Sequence, residues 1–271
     1  MGVNGLTDYH LHTPLCRHAE GWPLDFAPIA LQKGFTEIGF ADHSPMPALF
    51  DDWRMLRDEL PRYLESVAEA RDRYPQLTIR LGLEVDYLSD SAAWWEELRT
   101  MAAWDFWIGS VHYLPGGLEV DNPKYIRKLR ELDPEWVWTT YWRTYEDCIR
   151  CGWFEFVGHP DLPKKFGIRP PGDLRRFYEP VIQALVDTGV AYEINTAGLR
   201  KECCELYPAF DFVCLAREAG VPVLINSDAH HPDELGSGFR EALRVLRDAG
   251  YTEVVRYAGG RSIRTPVSIE A

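Results

Sequence analysis

Eight histidines occur in this chain, and several stand beside acids. His10 and His12 are two residues apart, behind Asp8 and Tyr9, and His18 follows. Asp42-His43, Glu84-Val85-Asp86, His112, Gly158-His159-Pro160-Asp161 and Asp228-Ala229-His230 continue the series. One buried histidine is usually satisfied by a neighbour. A set of imidazoles competes for protons, and a divalent cation relieves that competition, because neutral imidazole and carboxylate are common ligands for it. The candidate ligands are His10, His12, His18, His43, Glu84, His112, His159, Asp228 and His230, whereas His231 reads as a neighbour of His230. These nine groups exceed what one tetrahedral site takes and crowd two. Two or three metal ions are therefore expected, with at least one bridging acid. Glu84, after Gly82-Leu83, is the best bridge. Cysteine is missing from the set, which favours hydrolysis over a structural zinc. Zn, Mn and Fe suit the donors alike.

The elements that must position these groups alternate along the chain. Strand-like runs cover Leu6–His12, Thr36–Asp42, Ile79–Asp86, Phe106–His112, Phe154–His159, Ala191–Asn195 and Val223–Asp228. Helical period follows them, most plainly over Trp53–Tyr74, Glu135–Arg150 and Leu235–Ala249. Gly34, Gly189 and Gly220 mark helix stops. Seven βα units predict an α/β fold, a TIM-like barrel of parallel strands. A doubly wound sheet competes, but no G-x-G-x-x-G follows the first strand. Nearly every candidate ligand falls at a strand's C-terminal end or just after it, the face where such barrels build active sites. His10 and His12 lie on one face of their strand. Tyr113–Pro134, with its basic patch of Lys124, Arg127, Lys128 and Arg130, reads equally as a lid or as a solvated surface helix.

The chain has 271 residues, and 29 basic against 42 acidic side chains give a formal charge of −13. At 46% hydrophobic and 26% charged residues, disordered and fibrous classes are excluded. Residues 1–271 are expected to form one domain. The negative balance disfavours a polyanion-binding surface, hence no nucleic acid. No apolar run approaches a membrane span, and Met1–Thr7 lacks leader character. Cys148-x-x-Cys151, near a helix end, reads as a pair of packed free thiols, so a reducing cytoplasmic setting is expected. The oligomeric state is left open.

His10-x-His12, Asp42-His43, Gly82–Glu84, Ser110–His112, Gly158–Asp161 and Asp228–His230 together resemble the motif series of the polymerase-and-histidinol-phosphatase (PHP) superfamily. The order holds over almost the whole chain. Thr13–Gly21, Ser110–Tyr113 and Glu193–Lys201 look like its histidinol-phosphatase branch. The resemblance implies a distorted (βα)7 barrel with three divalent ions. It implies His10, His12, Glu84 and Asp228 around the first, Glu84, His112 and His159 around the second, and His18, His43 and His230 around the third.

What it implies in activity is hydrolysis of L-histidinol phosphate, a small phosphate ester of histidine biosynthesis. A hydroxide bridging two ions would attack phosphorus, since metal binding lowers the pKa of water to about 7. Cationic candidates for the phosphate are Arg200, Lys164, Lys165 and Arg17. Asp42 and Asp161 would orient ligand histidines, and Asp161 would protonate the leaving alkoxide. Glu20 or Tyr113 would read the amine or imidazole. Competing expectations are a phosphoesterase for another small ester or nucleotide, an amidohydrolase-like barrel, and a non-catalytic metal-binding barrel.

Overall fold

The first strand, β1 (Asp8–Leu11), leads into α1 (Pro23–Lys33), and β2 (Glu37–Phe40) into α2 (Leu60–Arg73). Then come β3 (Thr78–Asp86), α3 (Ala92–Arg99), β4 (Phe106–Ser110), the short β5 (Tyr113–Leu114) and β6 (Leu118–Glu119), α4 (Ile126–Glu131) and α5 (Pro134–Arg150). The chain continues through β7 (Phe156–Val157), α6 (Arg175–Thr188), β8 (Ala191–Asn195), α7 (Phe210–Glu218), β9 (Val223–Asn226), α8 (Phe239–Ala249), β10 (Glu253–Ala258) and β11 (Arg261–Pro266). This computed structural model describes residues 6–267. Met1–Gly5, within the stretch read as lacking a leader, and residues 268–271 lie outside it.

Seven strands pair in parallel in the order β1-β2-β3-β4-β7-β8-β9. Leu11 bridges Ala229 in parallel, with His12 N–H donating to Ala229 O and Ala229 N–H to His10 O, both at 3.0 Å, so the sheet curls into a barrel. The register between β1 and β2 slips between Asp8 and Leu11. Such a bulge next to a site re-aims side chains.

Helices cover the outside because each has an apolar stripe. On α5, Val137, Trp138, Tyr141, Tyr145 and Cys148 are buried at helical spacing. Asp133 caps its start by accepting from Glu135 N–H at 3.0 Å, and Pro134 occupies the first turn. Each large side chain so buried stabilises the fold by roughly 1.5–3 kcal/mol. The same helix also positions the rim: Tyr145 Oη donates to Gly158 O at 2.9 Å and Tyr141 Oη to His159 O at 3.2 Å.

Inside the barrel, the N-terminal end is filled. Tyr9, Phe106, Ile108, Phe156 and Leu224 form one cluster with Val255 and Tyr257 of the β10–β11 hairpin. A Cβ on Gly82 would collide with the Phe106 ring, so glycine is what lets this aromatic layer lie flat against β3.

One expectation is corrected. The Trp53–Tyr74 period is not one helix: α2 begins at Leu60, behind a short 3-10 turn at Arg57–Glu59. Glu59 caps the end of the preceding bent stretch by accepting from Leu56 N–H at 2.7 Å, which leaves Trp53 at the barrel mouth. Tyr113–Pro134 does place its basic patch on and beside a short helix, α4, as the surface-helix reading expects. It folds into the β5–β6 hairpin, with Tyr113 opposite Glu119, before the exposed α4. All six cysteines are free, and Cys151 Sγ lies 2.9 Å from Cys148 O, as packed thiols would.

Candidate metal centre

The rim of the barrel's C-terminal end draws on nearly every strand. His10 and His12 come from the end of β1, His43 follows β2, Glu84 is in β3, His112 follows β4, His159 follows β7, and Asp228 and His230 follow β9. His18 arrives from the loop after β1. His159 and Asp228 hold positive φ, 26° and 51°. Non-glycine residues tolerate this where the surroundings impose it, commonly at functional sites.

Three groups of donor atoms converge. His10 Nε2 is 3.2 Å from Glu84 Oε2 and 3.9 Å from Asp228 Oδ1, while His12 Nε2 is 3.6 and 3.4 Å from the same two oxygens. On the other side of the carboxylate, Glu84 Oε1 lies 2.8 Å from His159 Nε2 and 3.5 Å from His112 Nε2. Outermost, His18 Nε2 and His230 Nε2 are 3.0 Å apart. His43 stands between the groups, its Nδ1 2.9 Å from Glu84 Oε2, and it also offers a donor within 4.8 Å of donors on His12 and His230.

Glu84 Oε1 accepts from Ser110 Oγ at 2.7 Å, but several of the other atoms have no protein partner among the described residues. His10 Nε2, His12 Nε2, His43 Nδ1 and Glu84 Oε2 are buried without a hydrogen bond among the described residues. Leaving such groups unmatched costs about 1–3 kcal/mol each. Four in one place fit a cation that accepts all their lone pairs. The donor set, imidazole and carboxylate with no thiolate required, fits divalent metal ions.

The far sides of the imidazoles are held. His10 Nδ1 contacts both oxygens of Glu193 at 3.0–3.1 Å, and His112 Nδ1 contacts Asp86 Oδ1 at 2.8 Å. Such carboxylate partners fix which nitrogen faces inward. Asp86 is itself gripped by Arg54, 2.9 Å away and buried. Asp42 lies 3.6 Å from His12 Nδ1 and accepts from His43 N–H at 2.9 Å and from Thr13. Burial pushes Glu84 and Asp228 up, yet the surrounding imidazoles hold both well below the usual carboxylate range. Burial lowers His10 and His12, but Glu193, Glu84, Asp228 and Asp42 lift both well above the ordinary imidazole value. His43 and His230 go the other way, driven down by burial and by neighbouring imidazoles.

Of the expected cations, Lys165 alone lines the cavity over the imidazoles, a space of about 180 Å³, and it is paired with Asp121 at 3.0 Å. Lys201 lines it too. Lys164 is sealed in the wall on Asp161, at 3.0 Å, and Leu206 O. Asp161 is equally buried, accepts from Ala209 N–H at 2.8 Å and does not border the cavity. It braces the turn after His159. Arg17 turns outward onto Glu59. Arg200 donates to Ser227 O at 2.9 Å and Asp228 O at 3.2 Å, so it steadies the Asp228 turn, while its Nη1 is buried without a partner among the described residues. Tyr113 Oη is engaged on Asp51 at 2.7 Å, and Glu20 is exposed beside His231.

An outer cavity of about 370 Å³ adjoins the first and shares His18, His43, His112, Asp121 and Lys165 with it. Asp52, Trp53, Glu119, Asn122, Pro123 and Lys124 complete its wall. The reading from sequence missed Trp53, Glu119, Asp121, Glu193 and Lys201. Only Glu193 and Lys201 carried a signal, within the Glu193–Lys201 segment. A larger hollow of about 510 Å³ lies under Met46–Asp58, but none of the imidazoles lines it.

Comparison with known proteins agrees with this geometry. The PHP domain family matches residues 8–197. The chain is 40% identical over 250 residues to the "Probable histidinol-phosphatase" of Deinococcus radiodurans, covering 92% of this chain and 95% of that protein. This chain belongs to the PHP domain family, on its histidinol-phosphatase branch. The histidinol-phosphatase of Bacillus subtilis is 29% identical over 87% of this chain and 97% of its own length. In structure, the chain matches the histidinol phosphate phosphatase of Lactococcus lactis, solved with zinc, L-histidinol and phosphate. That match has a TM-score of 0.80 and 20% identity, over 95% of this chain and 98% of the other, and it shows the shared PHP barrel. Among the described residues no helix is long and apolar enough to cross a membrane.

Proposed function

We propose that this protein hydrolyses L-histidinol phosphate to L-histidinol and phosphate, at divalent metal ions held on the C-terminal rim of its barrel. The observation that carries the reading is the convergence of three unpartnered imidazole nitrogens, of His10, His12 and His43, on the equally unpartnered Oε2 of Glu84, in a chain 40% identical to a probable histidinol-phosphatase. His10, His12, Glu84 and Asp228 would hold one ion, and Glu84, His112 and His159 a second. His18, His43 and His230 would hold a third. Bound there, such ions supply a water of lowered pKa and positive charge for the phosphoryl oxygens.

The chain's own residues do the rest. Lys165 and Lys201 add positive charge beside the imidazoles, where phosphate oxygens gain charge in the transition state. The buried Nη1 of Arg200 is a spare donor behind the Asp228 turn. Glu193, Asp86 and Asp42 keep His10, His112 and His12 turned inward. Pre-set orientation of this kind is what converts a set of ligands into a working site. The fold and charge suit a small soluble ester rather than a polynucleotide, and a cytoplasmic biosynthetic role accords with six free cysteines.

The test is phosphate release from L-histidinol phosphate, a nucleoside monophosphate and an aryl phosphate, with divalent metal present. The proposal expects the highest kcat/KM for histidinol phosphate. A clear preference for either of the other two would reject the substrate. Release from none would reject phosphatase activity.

A further inference from the structure

The outer cavity holds one carboxylate more than its lysines match. Lys124 is paired with Asp52 at 2.7 Å and Lys165 with Asp121 at 3.0 Å. Glu119 has no cation within ion-pair distance among the described residues, although it is only 6% exposed. Its Oε2 accepts from Trp53 Nε1 at 3.0 Å and from Asn122 Nδ2 at 2.7 Å. Its Oε1 accepts from no described residue, and the residue borders the cavity. Two donors thus fix one oxygen and leave the other free in the space next to the imidazoles.

We propose that Glu119 is the subsite for the substrate's ammonium group. The inference rests on the hydrolytic reading above and sharpens its substrate class: a phosphate monoester whose alcohol carries an amine. A phosphate placed over the imidazoles of the inner cavity has its organic part directed into the outer one, because the two share His18, His43 and His112. An ammonium there meets an unmatched buried carboxylate, and such a charge-assisted bond is stronger than a neutral one. Burial pushes the Glu119 carboxyl up and nearby Asp121 and Asp51 add to it, against Asn122 and Trp53, so a cation is what would favour its ionised form most. The other two candidate readers are placed elsewhere: Tyr113 is committed to Asp51, and Glu20 is exposed. Trp53 acts as a positioning residue, since its indole meets the His43 ring edge-on at 4.6 Å and so ties Glu119 to the imidazoles.

The experiment compares L-histidinol phosphate with the analogue lacking only its amino group, in the metal-loaded wild type and in Glu119→Gln. The wild type should prefer the amine-bearing ester. In Glu119→Gln that preference, the ratio of the two kcat/KM values, should fall about 10- to 100-fold. A third ester, with the amine kept and the imidazole replaced by an alkyl group, should lose as much as histidinol phosphate does. A loss shared equally by all three esters, or one confined to the imidazole-bearing pair, would overturn the proposal. Should the variant fail to fold, the wild type still decides: equal rates with and without the amine overturn the subsite while leaving the phosphatase reading intact. Release from none of the three removes that reading, and this inference with it.

Discussion

The two ends of the barrel are built from the same seven strands and treat buried polar groups in opposite ways. At the N-terminal end, aromatic rings fill the interior and their hydroxyls are matched: Tyr9 donates to Glu37, and Tyr257 donates to Glu155 O at 2.8 Å. At the C-terminal end, Glu84 Oε2 and three imidazole nitrogens around it are buried with no partner among the described residues. At the first end the hydroxyls of the plug are matched within the protein. The other leaves a cost that bound divalent ions would offset. The contrast teaches where stability and chemistry are placed, and each end can be perturbed alone.

The largest effects are expected at the rim. Glu84→Gln keeps the shape but removes the charge that links the two inner donor groups, so kcat/KM should fall on the order of 10²–10³-fold or more. Elemental analysis should show fewer ions per chain. A variant with wild-type turnover and metal content would break the distinction between the ends. The converse change is Phe106→Ala at the plugged end. It should cost about 3–5 kcal/mol of stability by opening a cavity. Denaturant unfolding measures that cost, and metal content at low temperature should stay at the wild-type level.

Legibility in the sequence follows the same division. Rim residues could be read because histidine and acid are rare company at strand ends, so His10, His12, Glu84, His112, His159 and Asp228 announced themselves by type. Their grouping around Glu84 came from the family resemblance, because strand spacing alone says nothing about which strands curl together. Trp53 was misread as helical because Leu56 and Leu60 continue its spacing. The chain instead bends through Asp52–Arg54 and turns only where Glu59 caps Leu56, a local competition that hydrophobic period does not encode. The cations were the least legible. Arg17, Lys164 and Lys165 all stand near motif residues, and what separates them is which carboxylate each meets in space: Glu59, Asp161 or Asp121. Glu119 and Asp121 sit in an insertion after β4 whose hairpin leaves no strong pattern in so short a stretch.

Smaller effects refine the picture of the rim. Asp86→Asn should weaken the hold on His112, lowering metal affinity or activity by about 10- to 100-fold. Metal titration followed by activity measures it, and an unchanged affinity would assign Asp86 to Arg54 alone. The smallest effect concerns Asp121. Burial pushes its carboxyl up, but Lys165 and the nearby imidazoles outweigh this and bring it from 3.8 down to about 2. An acid with a lower pKa in the folded state adds stability above its unfolded value, and that share is lost as pH falls through its folded value. Asp121→Asn should therefore cost about 1–2 kcal/mol at neutral pH. The wild-type and variant stabilities should converge as pH falls from 3.8 towards about 2. Unfolding curves that stay parallel across that window would remove the Asp121–Lys165 pair from the account.

The most direct test of the central claim is phosphate release from L-histidinol phosphate before and after the protein is stripped of metal by a chelator and then resupplied with Zn, Mn or Fe. The account predicts that activity disappears with the metal, returns with at least one of these ions, and does not return in Glu84→Gln. Full activity in the stripped wild type, confirmed free of metal by elemental analysis, would contradict it.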